Sequence, residues 1–136
     1  RNPNHTRPWQ HVLEPLIGYL KLGMKLYKNN KFSGAWNFGP SSKQNLNVRN
    51  LVKYMSYKLR VNLNVSLKKN KFKEKKSLKL SSLKAMKQLN WKSCLNLNQT
   101  LDLTSDWYRV YLNKKKNKLY NITLNQINLY FKLLNK

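Results

Sequence analysis

The chain is poor in the residues that do chemistry. Of its 136 residues only Glu14, Glu74, Asp102 and Asp106 are acidic, and His5 and His11 are the only imidazoles. General acid–base work needs a poised group within hydrogen-bond reach of a substrate, and this inventory offers little from which to build one. His11 is the one candidate, and its expected place in a short strand favours a structural histidine; no catalytic residue is assigned. Two histidines without clustered cysteines or carboxylates also give no metal signature. Cys94 is the single cysteine, so an internal disulfide is excluded and an oxidising compartment is not implied. It lies in an apolar, amide-rich stretch and reads as a small packed thiol rather than a nucleophile.

Glycine is equally scarce, with four in the chain. None sits in a glycine-rich turn between a strand and a helix, so the dinucleotide fingerprint is missing. No apolar run approaches the roughly 20 residues needed to span a bilayer, and no basic start leads into a short apolar segment. No membrane partner is expected, and a cytoplasmic protein is the default. The chain starts at Arg1 rather than Met, which reads as a fragment whose missing part precedes Arg1.

What the sequence has in excess is positive charge, +24 from 28 Lys and Arg against 4 Asp and Glu. Taken alone, this favours a polyanion. The lysines and the many asparagines are scattered over helices and loops rather than gathered in one stripe, which fits a drift of solvent-facing positions. A specific nucleic-acid partner is therefore not expected. The alternative function is a degenerate basic remnant that holds RNA or another polyanion without catalysis.

Hydrophobic periodicity predicts one domain over residues 1–136, with 113–136 forming a charged link and a C-terminal helix. Trp9 to Val12 reads as a short strand stopped by Glu14-Pro15. A helix follows, with Leu16, Ile17, Leu20, Met24 and Tyr27 on its apolar face, Lys21, Lys25 and Lys28 opposite, and Asn29-Asn30 at its end. Ala35 to Phe38 reads as a buried strand closed by Gly39-Pro40. After a polar loop from Ser41 to Asn45, Asn47 caps a helix carrying Val48, Leu51, Val52, Met55 and Leu59. Alternation from Val61 to Leu67 predicts a strand with one wet face, Lys68 to Lys76 a basic loop, and Leu78 to Leu80 another short strand. Ser81 or Ser82 caps a helix with Leu83, Met86 and Leu89, closed by Asn90 in a left-handed conformation. Asn98 is expected to cap a helix reaching Leu112. Asn113 to Asn117 is the link, and the capping-box pattern Thr123-Leu124-Asn125-Gln126 predicts the start of the last helix, with Ile127, Tyr130, Phe131 and Leu134.

One block is more specific than any periodicity: Arg7-Pro8-Trp9-Gln10-His11-Val12-Leu13-Glu14-Pro15-Leu16 with Gly18-Tyr19-Leu20, answered by Gly34-Ala35-Trp36-Asn37-Phe38-Gly39-Pro40. With Leu89-Asn90-Trp91, Trp107-Tyr108-Arg109 and Thr123 to Ile127 in order behind it, the chain resembles the second half of the CDP-glucose 4,6-dehydratase family. These are nucleotide-sugar enzymes of the extended short-chain dehydrogenase/reductase class. Ser77, Ser81 and Asn90 depart from the family pattern, which has an aromatic, an Asp and a Gly there.

The resemblance implies an α/β fold class, the C-terminal substrate-binding part of a Rossmann-type enzyme with short strands among about five helices and its NAD-binding half missing. It implies a lyase that converts CDP-glucose to CDP-4-keto-6-deoxyglucose in deoxysugar and lipopolysaccharide biosynthesis. NAD and the catalytic Tyr/Lys pair would lie in the missing Rossmann half, which becomes a partner; this chain alone would hold no cofactor and be inactive. A homo-oligomer is left open. Arg7 is expected to grip the diphosphate, a task suited to a guanidinium and its paired donors. Trp9, His11 and Asn37 match positions near the substrate lobe.

Overall fold

A computed structural model of the chain describes residues 2–41, 44–66, 75–114 and 116–135. Among these, two three-residue strands pair antiparallel, β1 (Thr6–Pro8) with β2 (Asn45–Asn47), in the register Thr6 to Asn47, Arg7 to Leu46 and Pro8 to Asn45. Ser77 adds one parallel bridge to Thr6. Five helices complete the architecture: α1 (Leu13–Lys28), α2 (Val48–Leu59), α3 (Leu83–Leu89), α4 (Leu97–Leu112) and α5 (Lys116–Leu134). A single 3-10 turn, Asn30–Phe32, follows α1.

The helix ends follow local chemistry. Asn47 accepts a hydrogen bond from the Asn50 N–H at 2.7 Å, satisfying a donor that the first turn of α2 leaves free. Asn90 closes α3 at φ 47°, a left-handed position that asparagine tolerates better than most side chains. α4 is capped by Asn96 rather than Asn98. Asn96 and Gln99 exchange bonds at 2.9 Å each, a reciprocal capping box that outcompetes the lone amide two residues on. α5 starts at Lys116, about two turns ahead of the predicted capping box. Thr123 lies inside the helix because its hydroxyl donates to the Leu119 carbonyl at 2.8 Å and accepts from the Trp107 indole at 3.0 Å. Ser82 precedes α3, but its hydroxyl accepts from the Gly39 N–H at 2.8 Å instead of capping the helix.

The strand expectations fare worse, for one physical reason: period-two patterning becomes a strand only where a partner ladder exists. Trp9 to Val12 leaves the ribbon after Pro8, and Ala35 to Phe38 runs on without a ladder. Residues 61–66 are unladdered too, and Leu63 and Val65 stand 50% and 63% exposed, so the alternation has no dry face to serve. Leu78 to Leu80 likewise forms no strand. Leu67 and most of the Lys68 to Lys76 loop lie outside the described residues.

Phe38, Ala85, Leu89 and Trp91 form the core, backed by Ile17, Leu22, Phe32 and Trp36. The Phe38 and Trp91 rings meet edge to face at 5.1 Å, an arrangement favoured by the ring quadrupoles. Gly18 makes room for this pair: a β-carbon there would fall 2.4 Å from the Phe38 ring.

α1 is rotated away from its predicted orientation: Ile17 of the expected apolar face packs on the core and Lys25 and Lys28 are exposed as expected, but the rest of that face points outward. It buries Glu14 and Gly18, while Leu16, Leu20, Met24 and Tyr27 face outward, Met24 at 69% and Tyr27 at 94% exposure. Lys21, expected on the wet side, is half-buried and donates to the Asn90 carbonyl at 2.8 Å. The cause of this rotation is the carboxylate of Glu14.

Candidate functional site

Glu14 is fully buried in a chain of net charge +24, yet it bonds to no lysine or arginine among the described residues. Its Oε1 accepts from the Leu95 N–H at 2.7 Å, the Cys94 N–H at 3.0 Å and the Ser93 hydroxyl at 3.1 Å, and its Oε2 accepts from the Tyr130 hydroxyl at 2.9 Å. The Trp91 indole donates to the Glu14 carbonyl at 3.1 Å. A buried carboxylate is tolerated only when its lone pairs are filled, and these donors fill them. They also tie α1, the segment leading into α4, and α5 into one unit. Burial pushes the Tyr130 hydroxyl far above the ordinary phenol range, with its contacts to Cys94 and Glu14 acting in the same direction. Burial raises the Cys94 thiol as well, which disfavours its thiolate.

Beside this clamp lies a cleft of about 390 Å³ between the segment 10–13 and the facing sides of α4 and α5, walled by Val12, Trp107, Tyr108 and Ile127 and floored by Gln10, His11 and Gln126. The imidazole of His11 is committed on both sides. Its Nδ1 accepts from the Leu13 N–H at 3.4 Å, and it shares a side-chain hydrogen bond with Gln126. The Gln126 amide N–H donates to the Leu103 carbonyl at 2.7 Å. Burial depresses the His11 pKa below the ordinary imidazole value, only partly opposed by the Gln126 bond. The buried imidazole shapes the floor of the cleft.

The other sequence-predicted positions lie elsewhere. Arg7 is half-buried at the centre of β1, where its Nη1 donates to the Thr6 carbonyl at 2.9 Å and to the Lys75 carbonyl at 3.2 Å. Trp9 spends its indole N–H on the Leu46 carbonyl at 2.8 Å. Asn37 is exposed in the unladdered segment after the 3-10 turn. The two segments are tied together by the Gln10 amide, which donates to the Phe38 carbonyl at 2.8 Å. So the structure brings His11 into the cleft, while Arg7, Trp9 and Asn37 do not line it. Sequence reasoning passed over Glu14 and Gln126. It read Glu14 as part of the stop to a short strand and Gln126 as a capping partner. The signal that could have found Glu14 is a lone acid between Leu13 and Pro15 in a chain almost without acids.

A dinucleotide calls for a glycine-rich turn between a parallel strand and a helix N-terminus. Among the described residues the paired strands are antiparallel, Gly18 and Gly23 lie within α1, and neither Gly34 nor Gly39 leads directly from a strand into a helix. These residues do not fit NAD.

No protein-family model matches the chain. It is similar to CDP-glucose 4,6-dehydratase from Salmonella typhimurium, with 38% identity over 114 residues, which is 82% of this chain and 32% of that protein. The chain thus spans about a third of the length of the curated relative it matches. Over four-fifths of its length, therefore, this chain is a relative of the C-terminal portion of a CDP-glucose 4,6-dehydratase.

Proposed function

We propose that the chain contributes the substrate-binding portion of a CDP-glucose 4,6-dehydratase-like lyase, with NAD and the catalytic pair held by a Rossmann half outside it. The observation that carries this reading is the 38% identity over 82% of the chain to an enzyme of that name. In this reading Arg7 holds the diphosphate. Its guanidinium is anchored at Nη1 by two carbonyls and stays partly exposed, so its direction is set before any anion arrives. Trp9 offers a ring face, because its N–H is already spent, and Asn37 offers an exposed amide. His11 supports the segment from the buried floor of the neighbouring cleft. The surrounding positive charge draws an anionic nucleotide sugar toward the site.

Two measurements test the reading. Calorimetry of CDP-glucose against the chain and its Arg7→Ala variant, in equal salt, is expected to show the loss of a charge-assisted contact of about 1.5–3 kcal/mol, or roughly 10- to 150-fold in affinity. Equal affinities would retire the diphosphate role. Mixing the chain with the N-terminal two-thirds of the Salmonella enzyme, the part outside the match, is expected to convert CDP-glucose to its 4-keto-6-deoxy product. The chain alone is expected to leave CDP-glucose unchanged.

A further inference from the structure

Val12, Leu16, Leu20, Met24 and Tyr27 recur at three- and four-residue steps, so they form one stripe along the outer face of α1, with Tyr19 beside it. Their exposures run from 44% at Leu16 to 94% at Tyr27. At about 1.5 Å per residue the stripe is roughly 22 Å long. Side chains of this size leave on the order of 500 Å² of apolar surface wet, in the range of the largest patches on soluble monomers and more than half of one side of a standard interface. The helix cannot roll to hide the stripe. Its rotation is set on the inner side by the Glu14 hydrogen bonds and by the fit of Gly18 against Phe38, both of which would break.

We propose that this stripe is the docking surface for the polypeptide carrying the other two-thirds of a dehydratase of this kind, which meets it with an apolar centre and an acidic rim. The inference rests on the proposed function and adds the surface and the partner's chemistry to it. The partner's size follows from the comparison: the matched segment makes up 32% of the relative, so the equivalent residues there share a polypeptide with about twice their own length. Its charge follows from the borders of the stripe. Lys28, one helical turn past Met24, is exposed at the end of the stripe, and the only acid on α1, Glu14, is buried. The net charge argues against a second copy of this chain, since two bodies of charge +24 would repel.

The test pairs the purified chain with the separately expressed N-terminal two-thirds of the Salmonella enzyme, using sedimentation velocity and calorimetry at physiological salt. A 1:1 complex is expected. It should weaken on the order of 100-fold in the Leu20→Lys/Met24→Lys double variant, because two central apolar anchors are lost, and should be unchanged in Tyr120→Lys, which alters an exposed tyrosine on α5. Circular dichroism melts of the free variants establish that each is folded. Equal affinity for the double variant, no complex at all, or self-association of the chain through the stripe would each overturn the proposal. If a complex forms, converts CDP-glucose and ignores the double variant, the surface is wrong and the proposed function stands. If a complex depends on the stripe but produces no 4-keto-6-deoxy product, the surface stands and the proposed function falls.

Discussion

The two faces of α1 invert the usual rule for an amphipathic helix. Beside the core-packed Ile17 and Leu22, the inner face holds a fully buried carboxylate, a glycine and the half-buried Lys21, while the outer face holds Leu20, Met24 and Tyr27 in water. The inner face is organised by hydrogen bonds that only one rotation of the helix permits. The outer face has no such constraint and has only apolar surface to offer. Hydropathy therefore tells which side of a helix is oily, but not which side the rest of the chain occupies. Here a charge with filled lone pairs set the rotation, and the oily side was left for something else.

Removing the organising group should have the largest effect. Glu14→Ala leaves the Cys94 and Leu95 N–H groups and the Tyr130 and Ser93 hydroxyls without their acceptor. A loss of about 3–5 kcal/mol in urea denaturation is expected; a loss under about 1 kcal/mol would mean the clamp is not what holds α1. Gly18→Ala comes next. Its methyl would meet the Phe38 ring at 2.4 Å, so a net loss of about 1–2 kcal/mol is expected even after the better helix propensity of alanine is counted. A stabilised variant would show that Phe38 can step aside.

His11 tests the inner side through pH. Its folded pKa lies below the unfolded value, so as pH falls below about 6.5 the unfolded chain takes up the proton first. Its stabilising contribution is complete above that pH and declines as pH falls toward the depressed folded value, by at most about 1.4 kcal/mol per pH unit for one proton. Melting temperatures from pH 7.5 to 5 should fall less steeply in His11→Gln; identical slopes would place the acid sensitivity elsewhere. The smallest effect belongs to the outer face. Met24→Lys should change the stability of the free chain by no more than about 0.5 kcal/mol, since the side chain is 69% exposed. A larger loss would mean that the stripe already serves the fold of this chain.

The helices were the legible part of the fold. Asn47 and Asn90 act where their local chemistry places them, and α2 matches its periodicity, whereas in α3 only Leu89 of the expected face is buried and Leu83 and Met86 are exposed. The last two helices were found with shifted starts, because two capping amides or hydroxyls within a few residues compete and a neighbour such as the Trp107 indole can claim one of them. The strands were not legible. Alternation is a local signal, whereas a ladder needs a second segment far away in sequence, as Arg7 and Leu46 show. Of the candidate site, the segment from Gln10 to Val12 was visible as part of a motif. Its neighbours Trp107 and Gln126 were not visible as neighbours, because roughly a hundred residues separate them from His11.

By itself, then, the sequence determined the helical segments and their local stops, the excess of positive charge, the single unpaired cysteine and the kinship carried by the block from Arg7 to Leu20. Only the tertiary structure decided the rotation of α1, the burial of its one acid, the cleft around His11 and the stripe left in water. These depend on donors from Ser93, Cys94, Leu95 and Tyr130 converging on Glu14 from up to 116 residues away, and no window of local sequence contains that convergence.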